Sequence, residues 1–204
     1  MNKRHALKAL FLPGITVVAA QLAACSPQPP PKPQFKSIDV TGAPYANDFA
    51  LIDHNGMPRS MADFAGKAVL IFFGFTQCPD VCPTTLVEAQ QVRQLLGADA
   101  ARLQVLFVTL DPERDSQAVL KAYMANFDPS FLALYTTPEK LAVLAKDYKV
   151  YYKKVEGKTP TSYTLDHSAG SYVYDPQGRV RLYTRYGSGA ANLAADIGFL
   201  LKAV

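Results

Sequence analysis

The stretch Ala68-Val69-Leu70-Ile71-Phe72-Phe73-Gly74-Phe75 carries no polar side chain over eight positions. A continuous apolar run of this kind is the pattern of a central strand covered on both faces, because an exposed face would alternate with polar residues. Cys78 follows almost at once, and residues 83–96 then take up helical periodicity. Leu86, Ala89, Val92 and Leu96 fall on one stripe, Pro83 is tolerated in the first turn, and Gly97 ends the helix. Residues 103–110 form a second apolar strand. After it the pattern predicts a helix from about 116 to 127, a short strand at 131–135, a helix over 138–148 and a strand at 150–155. Residues 170–174 and 179–183 flank Asp175-Pro176-Gln177-Gly178 as a hairpin, and residues 189–202 close the chain as a helix. Upstream, residues 49–52 and 57–61 read as an N-terminal hairpin whose Asn55-Gly56 turn supplies positive φ angles, which places His54 on an exposed turn. Strand–helix–strand units followed by a hairpin and a closing helix define the expected class: α/β, a thioredoxin-like sandwich with a central mixed sheet flanked by helices and an N-terminal hairpin.

The chain has 204 residues and is 49% hydrophobic, enough for one domain with a proper core and too little for two. Its beginning has a different character. Lys3, Arg4 and Lys8 precede the apolar stretch 9–20, and Leu22-Ala23-Ala24-Cys25 follows. This is the pattern of a secretory signal, and Pro13-Gly14 interrupts the run well short of the ~20 residues a membrane span needs. Leu22-Ala23-Ala24-Cys25 resembles the lipobox of bacterial lipoproteins, in which cleavage leaves the cysteine as a lipid-modified first residue. The expected organisation is therefore a lipoprotein signal peptide at 1–24, a lipid-anchored proline-rich linker at 25–37 and the thioredoxin-like domain at 38–204. Pro27, Pro29, Pro30, Pro31 and Pro33 favour an extended spacer. Removing the signal takes away three cations and no acids, so the formal charge falls from +4 to about +1, and no basic stripe remains that would suit nucleic acid. Of three cysteines, Cys78 and Cys82 are left for chemistry in an oxidising envelope compartment.

Ligands of an α/β sheet collect outside the carboxyl ends of its parallel strands. Cys78 follows one such end and Asp111 another, and a right-handed crossover puts both on one rim. If the strand at 170–174 runs antiparallel to the first, the loop with Asp166-His167 faces the cysteines. Cys78 stands at or just before the helix start and Cys82 in its first turn, a spacing that shares one helical face near a thiolate-stabilising N-terminus. A C-x3-C pair alone fits a metal site and a redox site equally well. His167 tips the balance, being one of two histidines left after the signal. Two thiolates and a neutral imidazole suit copper, and zinc remains open with a fourth ligand. Asp115 reads as the N-cap of the helix at 116, and Asp111 as a brace for the loop or an acceptor at the site; neither is assigned as a ligand.

Gly74-Phe75-Thr76-Gln77-Cys78-Pro79-Asp80-Val81-Cys82-Pro83, Asp111-Pro112-Glu113-Arg114-Asp115 and Asp166-His167 together resemble the Sco/SenC family of copper-delivery proteins, through the whole domain from about Ile38. The resemblance implies a copper metallochaperone that serves the binuclear copper centre of cytochrome c oxidase. Cys78 and Cys82 would be its thiolate ligands and His167 its imidazole ligand, holding one copper per chain as Cu(I) or Cu(II). The implied partners are the copper-bearing subunit of the oxidase, a periplasmic thiol reductant and a membrane reached through lipid on Cys25, with a monomeric domain in the periplasm. The family tether is often a transmembrane helix, so the lipid anchor rests on the lipobox alone. The competing class is an enzyme, a thiol–disulfide oxidoreductase that keeps the recipient's cysteines reduced. Against it, thioredoxin-type sites use C-x2-C, and Asp166-His167 occupies the cis-proline loop without a proline. A peroxidase ranks last: Thr76-x-Cys78 is similar to a peroxiredoxin motif, but Phe73 stands where that family has proline.

Overall fold

The computed structural model describes residues 34–159 and 162–203; the signal, Cys25 and the proline-rich stretch lie outside the described residues. In chain order the elements are β1 (Ile38–Asp39), β2 (Leu51–Asp53), β3 (Pro58–Arg59), β4 (Ala68–Gly74), α1 (Val81–Leu96), β5 (Leu103–Thr109), α2 (Gln117–Met124), β6 (Leu132–Tyr135), α3 (Pro138–Asp147), β7 (Tyr152–Glu156), β8 (Tyr163–His167), β9 (Ser171–Tyr174), β10 (Val180–Thr184) and α4 (Ala190–Lys202). Among the described residues eight strands make one sheet in the order β1-β10-β9-β4-β5-β6-β2-β3, and β7 and β8 pair with each other. Strands β4, β5 and β6 are parallel, while β9 joins β4 and β2 joins β6 antiparallel. This is the thioredoxin-like α/β sandwich expected, with its central mixed sheet and N-terminal hairpin.

The sheet explains why β4 tolerates no polar residue. Successive side chains of a strand point to opposite faces. Ala68, Leu70 and Phe72 enter a core with Leu86, Ala89 and Val92 of α1, Leu120 of α2 and Ile197 of α4. Val69, Ile71 and Phe73 enter a second core on the other face, with Leu141 of α3, Phe49, Phe64 and Tyr148. Every residue of β4 is buried, and each large apolar side chain so placed contributes roughly 1.5–3 kcal/mol of transfer free energy. No helix of the described residues is long and apolar enough to cross a membrane.

Several local expectations change. In the β2–β3 turn only Gly56 takes a positive φ, of 84°; the Asp53 carboxylate does the rest, accepting from the backbone of Asn55 and Met57 at 2.8 and 3.0 Å and from Arg59 Nε at 2.8 Å. His54 is not exposed: it is buried, its Nδ1 accepting from Ala133 N at 3.0 Å. Ser116, not Asp115, caps α2, its side chain accepting from Val119 N. His167 ends a strand, β8, rather than sitting in a loop.

Gly74 fixes the last turn of the design. A Cβ there would lie 2.4 Å from Cys82 Sγ and 2.9 Å from Phe107 Cε2, so only glycine lets α1 approach the strand end. Gly74→Ala is expected to lower stability by about 1–3 kcal/mol, the range for overpacking a filled core. Urea unfolding at two protein concentrations measures it, and a midpoint equal to that of the unmodified chain would show that the close approach is not required.

Candidate metal centre

Because β4 and β5 stay in register from Ala68↔Leu103 to Gly74↔Thr109, the chain leaves both strands at one edge. Beyond Gly74 it folds into a turn in which Cys78 N donates to Phe75 O at 3.2 Å, and α1 begins only at Val81. Cys78 thus lies outside the helix and Cys82 inside its first turn. The turn, rather than a shared helical face, brings the sulfurs together. β9 runs antiparallel to β4 with Ser171 opposite Phe72, so the segment just before it arrives at the same edge, and with it His167.

Cys78 Sγ, Cys82 Sγ and a ring nitrogen of His167 all lie within 4.8 Å of one another. Both cysteines are free thiols, Cys82 buried and Cys78 partly exposed. His167 Nε2 is 3.9 Å from Cys82 Sγ, and Nδ1 is 2.8 Å from the carbonyl oxygen of Ser168. A carbonyl can only accept, so Nδ1 carries the proton and the Nε2 lone pair is left facing the sulfur. The Phe75 ring meets the imidazole edge-on, centroids 5.8 Å apart and planes at 84°, which holds its orientation. Metal–sulfur and metal–nitrogen bonds of about 2.3 and 2.0 Å can together span a separation of that size. The donor set fits a thiophilic ion.

Electrostatics favours the protonated thiol at the deeper sulfur. Burial pushes Cys82 well above the usual cysteine range, and the neighbouring Cys78 sulfur adds to the shift; a backbone contact from Phe75 works the other way without offsetting it. The expected thiolate stabilisation by the helix N-terminus is therefore outweighed at Cys82. Asp115 is buried beneath the cysteine loop, where it accepts from Thr76 N and Oγ1 at 3.0 and 2.5 Å and from Thr109 Oγ1 at 2.6 Å. Burial raises its pKa despite these bonds. Asp111, also buried, accepts from the Tyr163 hydroxyl at 2.8 Å and pairs with Arg114. It braces the edge and offers nothing to the sulfurs. His54 stands with the backbone of β6, its pKa lowered by burial, and has no part in the group. The sequence points to Thr76 only as part of a peroxidase-like motif, and gives Arg114 and Tyr163 no role. The first two stand inside the quoted motifs, whereas nothing in the sequence marks Tyr163.

A thioredoxin-type domain that gathers two thiols and an imidazole at the carboxyl edge of its parallel strands is a thiol–imidazole protein of the metal-binding or redox class. Its relatives make the class definite. The chain belongs to the SCO1/SenC family, whose model matches residues 39–202. It is 42% identical over 141 residues to the mouse (Mus musculus) mitochondrial SCO2 homolog, covering 68% of this chain and 54% of that protein. With the SCO2-like protein of Rickettsia felis it shares 33% identity over 165 residues, 79% of this chain and 80% of that one. Among solved structures, Bradyrhizobium japonicum ScoI with copper bound superposes with a TM-score of 0.67 at 40% identity, covering 74% of this chain and 95% of that one. The chain spans about half the length of the mouse relative.

The proton on Cys82 has a measurable consequence. Metal binding through this sulfur would displace it, so with Cys82 as a ligand the affinity of the reduced protein for a thiophilic ion should rise with pH throughout the range below the raised pKa, by up to about tenfold per pH unit for each proton released. Competition titrations between pH 6 and 8 read this slope. A pH-independent affinity would mean that the buried sulfur takes no part. In the metal-free protein, alkylation at neutral pH should label Cys78 well before Cys82, as counted by peptide mass spectrometry.

Proposed function

We propose that this chain is a copper chaperone of the cell envelope, which binds one copper ion through the thiolates of Cys78 and Cys82 and Nε2 of His167 and delivers it to the binuclear copper centre of cytochrome c oxidase. The observation that carries the proposal is the convergence of two sulfurs with an imidazole whose free lone pair is already turned toward them. Two thiolates satisfy Cu(I), and the imidazole extends the site to Cu(II). The relative from Bradyrhizobium japonicum and yeast Sco1 have both been solved with copper bound. Membership of the SCO1/SenC family is what supports this recipient. Residues 1–24 would be the signal, Cys25 the lipid-bearing residue, residues 25–37 the spacer and 38–204 the working domain, a monomer reaching its partners from the membrane surface.

The cysteines also make a switch. Joined as a disulfide they lose the charge and electron pairs that bind copper, so loading follows reduction by a separate periplasmic thiol reductant. The second reading, a thiol–disulfide oxidoreductase acting on the recipient's cysteines, has one feature in its favour: Cys78 is partly exposed while Cys82 is buried behind it, the arrangement of an attacking and a resolving thiol.

Titration of reduced and oxidised protein with Cu(I) and Cu(II), with thiols counted in each sample, decides between them. About one copper per reduced chain is expected, with an intense thiolate-to-Cu(II) charge-transfer band and almost no binding to the disulfide form. His167→Ala should weaken Cu(II) binding strongly and keep the fold, whereas His54→Ala should leave the copper spectrum unchanged. Equal copper loading of the oxidised form, or fast disulfide turnover without retained copper, would favour the oxidoreductase. For the anchor, Cys25→Ser should release a soluble, folded protein from the membrane fraction; retention there would remove the lipid assignment.

A further inference from the structure

The hairpin of β7 and β8, which carries His167, is fastened to the domain in an unusual way. Among the described residues neither strand pairs with the eight-stranded sheet. Leu165 is the one buried residue of β8, and residues 153–156 of β7 are exposed. A cleft of about 310 Å³, lined by Leu110, Asp111, Glu113, Tyr152, Lys153 and Leu165, opens between the hairpin and the body. Leu165 and the partly buried Tyr152 and Tyr163 supply the hairpin's apolar attachment to the core, and local opening follows where few apolar contacts hold a segment.

Polar contacts concentrate at the other end of β8 from His167. The Tyr163 hydroxyl donates to Asp111 Oδ1 at 2.8 Å, and Arg114 Nη1 donates to the Tyr163 carbonyl at 2.8 Å. The guanidinium lies 3.5 Å from the centroid of the Tyr163 ring, and its Nε is paired with the Asp111 carboxylate. Nη1 also reaches Gln77 Oε1, next to Cys78, at 3.1 Å. One side chain thus ties the loop bearing a sulfur to the strand bearing the imidazole. The neighbouring pair of Lys154 with Glu113, at 2.7 Å, is exposed on both sides and contributes little.

We infer that Asp111, Arg114 and Tyr163 form a latch that holds the hairpin down and so sets the place of His167 above the two sulfurs. They are positioning residues, and the inference rests on the proposed role of His167 as a ligand. A planar guanidinium that stacks and forks is required, which a lysine cannot reproduce. Loosening the latch removes the imidazole from the group while leaving both sulfurs in place. The loss should fall on Cu(II), because two thiolates alone retain Cu(I).

The test uses the reduced protein with Arg114→Gln, Arg114→Lys, Tyr163→Phe, His167→Ala and the double variant Arg114→Gln/His167→Ala. Amide exchange is followed in the metal-free protein, and Cu(I) and Cu(II) affinities are measured separately. Arg114→Gln should speed exchange across residues 152–167 by more than about tenfold while α4 exchanges as before. It should weaken Cu(II) binding about 10- to 100-fold, the usual cost of losing a residue that orients a ligand, and change Cu(I) binding by less than about threefold. Arg114→Lys should fail to restore either property. Tyr163→Phe, which deletes one hydroxyl, should move both readouts in the same direction by less. In the His167→Ala background the Arg114 substitution should leave Cu(II) affinity where it was, since nothing remains to position. Hairpin exchange unchanged in Arg114→Gln overturns the latch whatever the copper result. Additive losses in the double variant overturn its action through His167. If the unmodified protein binds no Cu(II) at this site, the chaperone proposal falls, and the exchange arm alone still judges the latch.

Discussion

The parallel pairing of β4 with β5 ends at Gly74 opposite Thr109, and each part of the site takes its place from that ending. Parallel strands need a crossover, here α1, and the crossover must start at the edge where β4 stops. The cysteines occupy that start. Leu110, Asp111 and Asp115 leave β5 at the same edge, and Asp115 accepts three hydrogen bonds from Thr76 and Thr109, tying the two exits together below the sulfurs. With no side chain at Gly74, the helix seats Cys82 directly against the strand. The chemistry is a property of the sheet edge before it is a property of any one residue.

How far the sequence could be read follows from where its periodicity is strong. β4, β5, α1, α3, β9, β10 and α4 carry apolar patterns set by packing on one or two faces, and these were legible within a residue or two. The β7–β8 hairpin carries almost none: Tyr-Lys-Lys-Val-Glu is exposed along most of its length, and Tyr-Thr-Leu-Asp-His buries only Leu165. A strand held by its partner and by polar contacts leaves no apolar stripe, which is why β8 read as a loop. His54 was misplaced for a related reason. A turn residue is ordinarily solvated, but the edge pairing of β2 with β6 folds this one onto Ala133, and no local pattern announces a contact between residues so far apart. Asp115 was read as a cap because Ser116, the true cap, follows it directly.

The group at the edge balances opposed demands. A thiol buried as deeply as Cys82 resists ionisation, yet the same burial excludes competing water donors and keeps the sulfur from solvent oxidants. The imidazole is arranged the other way: Nδ1 is engaged with the Ser168 carbonyl, which in the neutral ring leaves the Nε2 lone pair on the side of the sulfurs. The carboxylates nearby are engaged with Thr76, Thr109, Arg114 and Tyr163 rather than open to the sulfurs. That separation keeps a hard, oxygen-rich environment out of a soft one.

The unequal burial of the donors also gives the site a direction. Cys78 and His167 are reached from solvent, whereas Cys82 lies behind them with almost no exposed surface. An acceptor protein that replaced the proposed metal bonds one at a time would meet the outer pair first, and the sulfur of Cys82 would be the last contact left to exchange. Under the proposed ligand set departure would be sequential, the inner thiolate keeping its hold until a new coordination sphere had been largely assembled outside.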